Sequence, residues 1–364
     1  MRSTALTWPA SGCSVRAPIR ASGSSAWSST SSGSRPRHPT PPYDGLWSRI
    51  AGFRPEHLAE FLLDRTVVRA SVMRGTIHLV SARDARILRP FAQPLYDQDL
   101  ATSADVAPHL DGVDLWDLVT EATGLFAAEP LTKAELRTRL AVRWPRHEPD
   151  ALARAVHDLV PLIQIPPRGV WGASGSARSV TTESWLGRPV LRRVRSSDIV
   201  RRYLAAFGPA SALYAQRWSG VRGLAATFER LRPELHTFVD EHGRELFDLP
   251  DAPRPDPDTP APPRFVAEFD NLTLSHADRS RVTADLERRR LVTVNGIVHA
   301  TVLVDGFVAG TWKLRTTKAS TIVTVAPFHR LPKAATAALE REGRALAAFT
   351  APDTTAEVRF LPVA

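Results

Sequence analysis

Six polar residues crowd into "EFDNLTLSHADRSRV" at 268–282: Asp270, Asn271, His276, Asp278, Arg279 and Arg281. A carboxylate beside an imidazole can relay a proton in a hydrolysis. Acid and base groups packed this densely more often pair as salt bridges that hold a junction between folding units. His276 has no second histidine at ligand spacing, so the segment implies no metal. The chain also lacks a phosphate-binding Gly-Lys loop, a G-x-G-x-x-G turn, an H-E-x-x-H helix and any cysteine pair. Nucleotide, zinc-protease and zinc-finger chemistries fall away, and no cofactor is expected. What remains is basic and carried on turns. Arg74 and His78 belong to one apparent hairpin and Arg168 to another, where a guanidinium can meet a phosphate.

Charge supports that direction. The 364 residues carry a net charge of +9 and a sequence pI of about 10.4, which favours a polyanionic partner, nucleic acid first. An arginine-rich composition imposed by a GC-rich coding sequence would give the same balance. One cysteine, Cys13, permits no internal disulfide and fits a reducing compartment. No apolar run is long enough for a membrane helix, and the N-terminus lacks the apolar stretch of a secretory signal. The expectation is a cytoplasmic, nucleoid-associated monomer that binds double-stranded DNA and no membrane.

The elements that would position these groups recur. "PEHLAEFLLDR" (55–65) spaces Leu58, Phe61 and Leu62 for one helical face, and "VVRASVMRGTIHLVSA" turns at Met73-Arg74-Gly75. "LTKAELRTRLA" opens with Thr132 and Glu135, a capping box. "DALARAVHDLV" repeats apolar residues at helical spacing and offers Arg154 and His157 as groove readers. "PLIQIPPRGVWG" then reads as a second hairpin turning at Pro167-Arg168-Gly169. A looser third set runs from "SDIVRRYLAAFG", stopping at Gly208, through a helix beginning at Pro209, to arms turning at His242-Gly243. After the proline-rich 250–265 come hairpin signals at Asn295-Gly296 and Asp305-Gly306, a strand "STIVTVAPF" and an Ala-rich helix.

This pattern predicts an α+β chain: three tandem winged-helix units followed by a small C-terminal β-barrel or sheet with a helix. The boundaries are 38–100 (incomplete), 101–190, 191–250 and, with the linker, 251–364. Residues 1–37 are low-complexity, as expected for a disordered or out-of-frame stretch.

"PTPPYDGLWSRI", "MRGTIHLV", "IPPRGVWG", "FGPAS", "DNLTLSHADRSRV" and "VLVDGFVAGTW", in this order, resemble the winged-helix DNA glycosylases of the AlkZ/YcaQ type from about His38 to the C-terminus. The resemblance implies winged helices around a basic channel. It also implies hydrolysis of the N-glycosidic bond of N-alkylated purines and unhooking of crosslinks. It further implies a catalytic Gln-x-Gln, or Gln-x-Asp, just before "PTPPYDGLW". Arg35, Pro36 and Arg37 stand there instead, so the catalytic motif is missing as written.

One permitted codon choice for Ser32–Arg37, TCG-GGC-TCC-AGG-CCC-AGG, read two bases on gives Gly-Leu-Gln-Ala-Gln directly before His38. A frameshift spanning about Pro9 to Arg37 follows from that reading. Loss of the stretch would uncover apolar faces of the 55–65 helix and the first hairpin. The alternative is a non-catalytic winged-helix DNA-binding protein or transcriptional regulator, for which Arg154 and His157 make a thin set of readers.

Overall fold

The computed structural model describes residues 29–30, 41–256, 258–274, 277–284, 289–292 and 297–363. The stretch holding Arg35 and Arg37, the Asn295-Gly296 turn and His276 all lie outside them. The chain divides into two compact units, each assembled from separated stretches. One comprises 58–203 with 215–234, the other 1–57 with 204–214 and 235–364.

In the unit built on 58–203, three helices bury a common core: Leu115–Ala128, Lys133–Arg143 and Pro149–Leu159. Leu118, Leu136, Leu140, Leu152 and Val156 are fully enclosed there. Spacing at i, i+3 and i+4 puts these groups on one stripe of each helix. The capping box forms as expected: Thr132 Oγ1 accepts from the Glu135 amide (3.2 Å), and Glu135 Oε2 accepts from the Thr132 amide (2.8 Å).

Strands Val67–Ser71 and Ile77–Ser81 pair antiparallel, with Val68 opposite Val80 and Ala70 opposite His78. Val67–Ser71 also pairs with Leu162–Gln164, which pairs in turn with Arg178–Thr181. The return arm of the second expected hairpin is therefore 178–181 rather than Val170-Trp171. The 165–177 connection is a loop, in which Gly169 adopts φ +91°. A Cβ on Gly169 would stand 2.6 Å from Arg69 Cδ, so the loop is closed against the neighbouring strand.

A 21-residue helix, Ala82–Thr102, packs against both strands of the first hairpin and is absent from the sequence expectations. It covers the hairpin strands, and Leu58, Leu62, Val68, Leu79 and Val80, on the faces that the frameshift reading expects to be uncovered, are all buried. Ser81 caps its start through the Asp84 amide, and Pro90 and Pro94 lie inside it. Proline has no N–H, so Pro90 gives no helical bond to the carbonyl four residues back. That carbonyl, on Arg86, accepts instead from the Leu191 amide at 2.9 Å.

The same helix carries Arg89, only 2% exposed. Its guanidinium donates to the Asp158 carbonyl (2.6 Å), at the end of helix Pro149–Leu159, and to Gln93 Oε1 (2.5 Å). It stacks over Tyr96, whose hydroxyl donates to the Val72 carbonyl at 2.8 Å.

The other unit has two sheets. His236–Val239 and Glu245–Asp248 form a hairpin with Gly243 at φ +75°. The larger sheet runs in the order 355–360, 320–327, 307–316, 301–304, 264–266. Asp305 and Gly306 both take positive φ (50° and 83°) in the tight turn joining 301–304 to 307–316, as an Asp-Gly pair favours. Strands 320–327 and 355–360 are parallel, linked across helix Lys333–Thr350. Gly343 lets that helix approach closely, since a Cβ there would lie 2.9 Å from Val358 Cγ2. Among the described residues no ladder joins the outer strands 264–266 and 355–360, so this module is an open sheet and not a closed barrel.

Helix Pro41–Trp47 seals the unit through aromatic contacts, with the Trp47 and Phe53 rings each 5.9 Å from Phe349. Gly208 ends helix Ser196–Phe207 as expected, but the next helix begins at Ala212 and not at Pro209. The Gly208-Pro209 peptide is cis, and Ser211 Oγ accepts from the Tyr214 amide, which makes Ser211 the start of that helix.

Arg89 generates a stability prediction. Arg89→Met should cost roughly 2–4 kcal/mol, because the Asp158 carbonyl and the Tyr96 face lose a buried partner. Arg89→Lys should recover little of it, since an ammonium lacks the planar fork. Urea unfolding of the three proteins checks this, and a Lys variant as stable as wild type would contradict it.

Candidate nucleic-acid interface

Arg74 and His78 are brought together, His78 inside the fold and Arg74 half-buried above it. Arg74 has φ +53° in the Met73–Gly75 turn. Its Nη1 donates to the Trp218 carbonyl and its Nη2 lies 3.2 Å from His78 Nε2. His78 Nδ1 is 2.9 Å from the Thr76 carbonyl, and the ring is fully buried. Only the tautomer protonated at Nδ1 satisfies both contacts: it donates to the carbonyl and accepts from the guanidinium. Burial, then the Arg74 charge, pushes the His78 pKa down to about 3. Burial, then Arg217, brings Arg74 down to about 10. Both groups are thus committed to the fold in this arrangement.

Arg154 and His157 share helix Pro149–Leu159. Arg154 Nε donates to Asp158 at 2.8 Å, and Nη2 pairs with Asp99, so its charge is matched locally. Burial, then the cations Lys133, Arg154 and Arg89, lowers the His157 pKa to about 4, leaving the ring neutral near pH 7. Arg168 differs. It is half-buried on the 165–177 loop and forms no ion pair among the described residues.

The polar segment at 268–282 resolves into separate pairings within the other unit. Asp270 is 6% exposed and accepts from Arg49 Nη2 and the Leu272 amide, at 2.8 and 2.9 Å. Asp278 pairs with Arg244, which also donates to Asp240 at 3.0 Å. A hydrogen bond from the Ser280 amide is the leading cause that holds the Asp278 carboxyl at about 2. Arg281 donates to the Pro209 carbonyl (2.9 Å), Asn271 is buried, and Arg279 is half-buried. Two of the described members, Asp270 and Asp278, are engaged in ion pairs.

The sequence reading passes over one group here. Asp44, on helix Pro41–Trp47, is 5% exposed, and burial followed by the Glu268 charge raises its pKa well above the usual carboxylate range. The Asp270 and Arg49 side chains lie within 4 Å of the space beside Gly45, the next residue. Asp44 is thus a buried, protonation-prone carboxyl on the helix that follows the Arg35-Pro36-Arg37 segment in the chain. The signal is weak, because one acid inside "PPYDGLW" has no periodic or motif partner.

Among the described residues no group of histidine, cysteine and acidic side chains is placed to hold a metal. No helix among them is long and apolar enough to cross a membrane.

This mixed α+β fold, with arginines prominent on its loops, belongs to a described class. A family model for the AlkZ-like DNA glycosylases matches residues 30–349, and the chain belongs to that family. The DNA glycosylase AlkZ of Streptomyces sahachiroi has a similar fold. The TM-score is 0.66 at 22% identity, over 84% of this chain and 85% of that one. No curated protein matches.

The buried imidazoles make acid stability a test of the geometry. His78 has a folded pKa of about 3, below the ordinary 6.5. As pH falls through 6.5 the unfolded chain therefore binds a proton that the native chain refuses. Stability from this source is complete above pH 6.5 and drains away towards pH 3. His157 acts in the same direction down to about pH 4. His78→Gln keeps a donor and an acceptor without titrating, so melting temperatures between pH 7 and 4 should decline less steeply than in wild type. Parallel curves would show that His78 is not held neutral.

Proposed function

We propose that this protein binds duplex DNA through a scaffold of the base-excising lineage, and that as written it holds DNA without hydrolysing the glycosidic bond. The observation that carries the reading is the family match, which covers 30–349 and so includes the 35–37 segment where arginines replace the glutamines. The +9 charge supports a polyanionic partner.

The tandem winged-helix organisation, with units at 38–100, 101–190 and 191–250 and a C-terminal module at 251–364, is part of this proposal. It is supported by the recurrence of helices closed by antiparallel strands. Arg168 is the turn residue in it best placed to meet phosphate.

The chemistry of the lineage needs little from the protein. An N7-alkylated purine is already cationic and leaves as a neutral base, so no strong general acid is required. A carboxamide at 35 or 37 would hold the water that attacks C1′ and support the cationic sugar, yielding free base and an abasic site. Arginine carries no acceptor for that water and places positive charge where the sugar becomes positive. A sequence-reading regulator is less well supported, because helix Pro149–Leu159 offers one arginine already paired and one uncharged histidine.

Two measurements separate binding from chemistry. Affinity for an undamaged duplex should fall steeply with salt, because neutralised phosphates release counterions. A salt-independent affinity would end the DNA reading. Release of N7-methylguanine from alkylated duplex should stay at background for this chain. It should rise by at least ~100-fold when Ser34→Leu, Arg35→Gln, Pro36→Ala and Arg37→Gln are introduced together, in keeping with the typical cost of removing one transition-state interaction. Wild-type release equal to that of the quadruple variant would refute the assignment of chemistry to this segment.

A further inference from the structure

The unit built on 58–203 contains a second basic feature that the sequence reading does not single out. A groove of about 770 Å³ is lined by Arg65, Arg83, Arg86 and Arg188, with Trp185 in its wall and Asp64 as its one carboxylate. Four guanidinium groups and one carboxylate thus line a single concavity. Small-molecule pockets are mostly apolar with a few polar anchors, whereas five of the ten residues lining this groove are charged.

The groove is built rather than incidental. Arg65 donates to the Trp185 carbonyl at 3.0 Å and lies 4.1 Å over the Trp185 ring, so its charge is fixed in position. Asp64 is occupied in the turn before it, accepting from the Thr66 amide at 2.8 Å. Arg86 Nε donates to the Pro189 carbonyl at 2.7 Å, while its own carbonyl, released by Pro90, accepts from Leu191. These two bonds clamp the segment "GRPVLRRVR", 187–195, along the start of helix Ala82–Thr102. Asp84, the acid in the first turn of that helix, is buried and paired with Arg202, so it does not neutralise the groove.

Elsewhere in the unit, arginines such as Arg139, Arg143, Arg154 and Arg201 are matched by carboxylates. Arg188, Arg192, Arg193 and Arg195 are exposed and form no ion pair among the described residues. Exposed guanidinium groups spaced along one anchored segment suit a ligand that presents repeated anions.

We propose that this groove and the 187–195 segment clamp consecutive phosphates of a nucleic-acid backbone. The inference rests on the DNA-binding reading above and adds to it a location independent of the 35–37 segment and of Arg168. Arg65 and Arg86 keep the groove in shape, while Arg83, Arg188, Arg192 and Arg193 face the phosphates.

The test compares the full-length protein with a quadruple variant, Arg83→Ala, Arg188→Ala, Arg192→Ala and Arg193→Ala, and with the matching quadruple lysine variant. Binding of a fluorescent undamaged duplex is followed by anisotropy from 50 to 300 mM NaCl, after melting curves establish that all three are folded. The alanine protein should bind ~10–100-fold more weakly at low salt. Its plot of log affinity against log salt should flatten by about 0.9 for each phosphate that is no longer neutralised. Lysine should keep most of the slope, because it retains the charge. A wild-type protein that does not bind duplex at all would overturn the DNA reading itself. Wild-type binding with an unchanged slope in the alanine variant would leave that reading standing and overturn the clamp. Titration with inorganic phosphate distinguishes a free anion. Phosphate binding that disappears in the alanine variant, while duplex affinity is kept, would reassign the groove to a small anion and overturn the backbone assignment.

Discussion

One buried guanidinium ties together the unit formed by 58–203 and 215–234. Arg89 reaches from helix Ala82–Thr102 to the Asp158 carbonyl at the end of helix Pro149–Leu159 and stacks on Tyr96, whose hydroxyl holds the end of the first hairpin strand. A buried charge is tolerated when most of its donors are used, and here Nη1 and Nη2 are engaged while Nε has no partner among the described residues. These bonds fix the spacing of two helices and a hairpin at once. The placement of the Arg74–His78 pair, of helix Pro149–Leu159 and of the basic groove depends on that spacing.

The electrostatics then sort the arginines into two kinds. Those on helices are largely consumed by neighbouring carboxylates, as with Arg154 between Asp99 and Asp158. On loops the outcome is split: Arg49 and Arg244 pair with Asp270 and Asp278, whereas Arg188, Arg192, Arg193 and Arg195 are left to solvent. A net charge of +9 is thus concentrated by pairing rather than by composition alone. This matters for a polyanion, whose attraction to the surface is set by unneutralised charge within a screening length.

Much of the local structure could be read from the residues. The capping box at Thr132 and Glu135, the stripe of Leu152, Ala155 and Val156, the Asp305-Gly306 turn and the stop at Gly208 all follow from rules acting over a few residues, and each is present. Helix Ala82–Thr102 was illegible because Pro90 and Pro94 break the local rule, and only tertiary partners such as Leu191 and Asp158 make up for it. The second hairpin was misread because its return strand, 178–181, lies across a loop that no turn signal announces. For the candidate site, residue type alone placed Arg74 outward. The left-handed backbone at Arg74 and the carbonyl of Trp218, far along the chain, turn it inward.

Pro90 also bears on how this protein could be improved. By the rules of helix propensity it is a defect worth removing, since alanine there would restore a hydrogen bond and smooth the helix. The restored bond, however, would compete with Leu191 for the same carbonyl and release the segment that carries four arginines. Consensus-style stabilisation at this position would gain melting temperature by loosening an anchored loop, a structural cost set by a single missing proton donor.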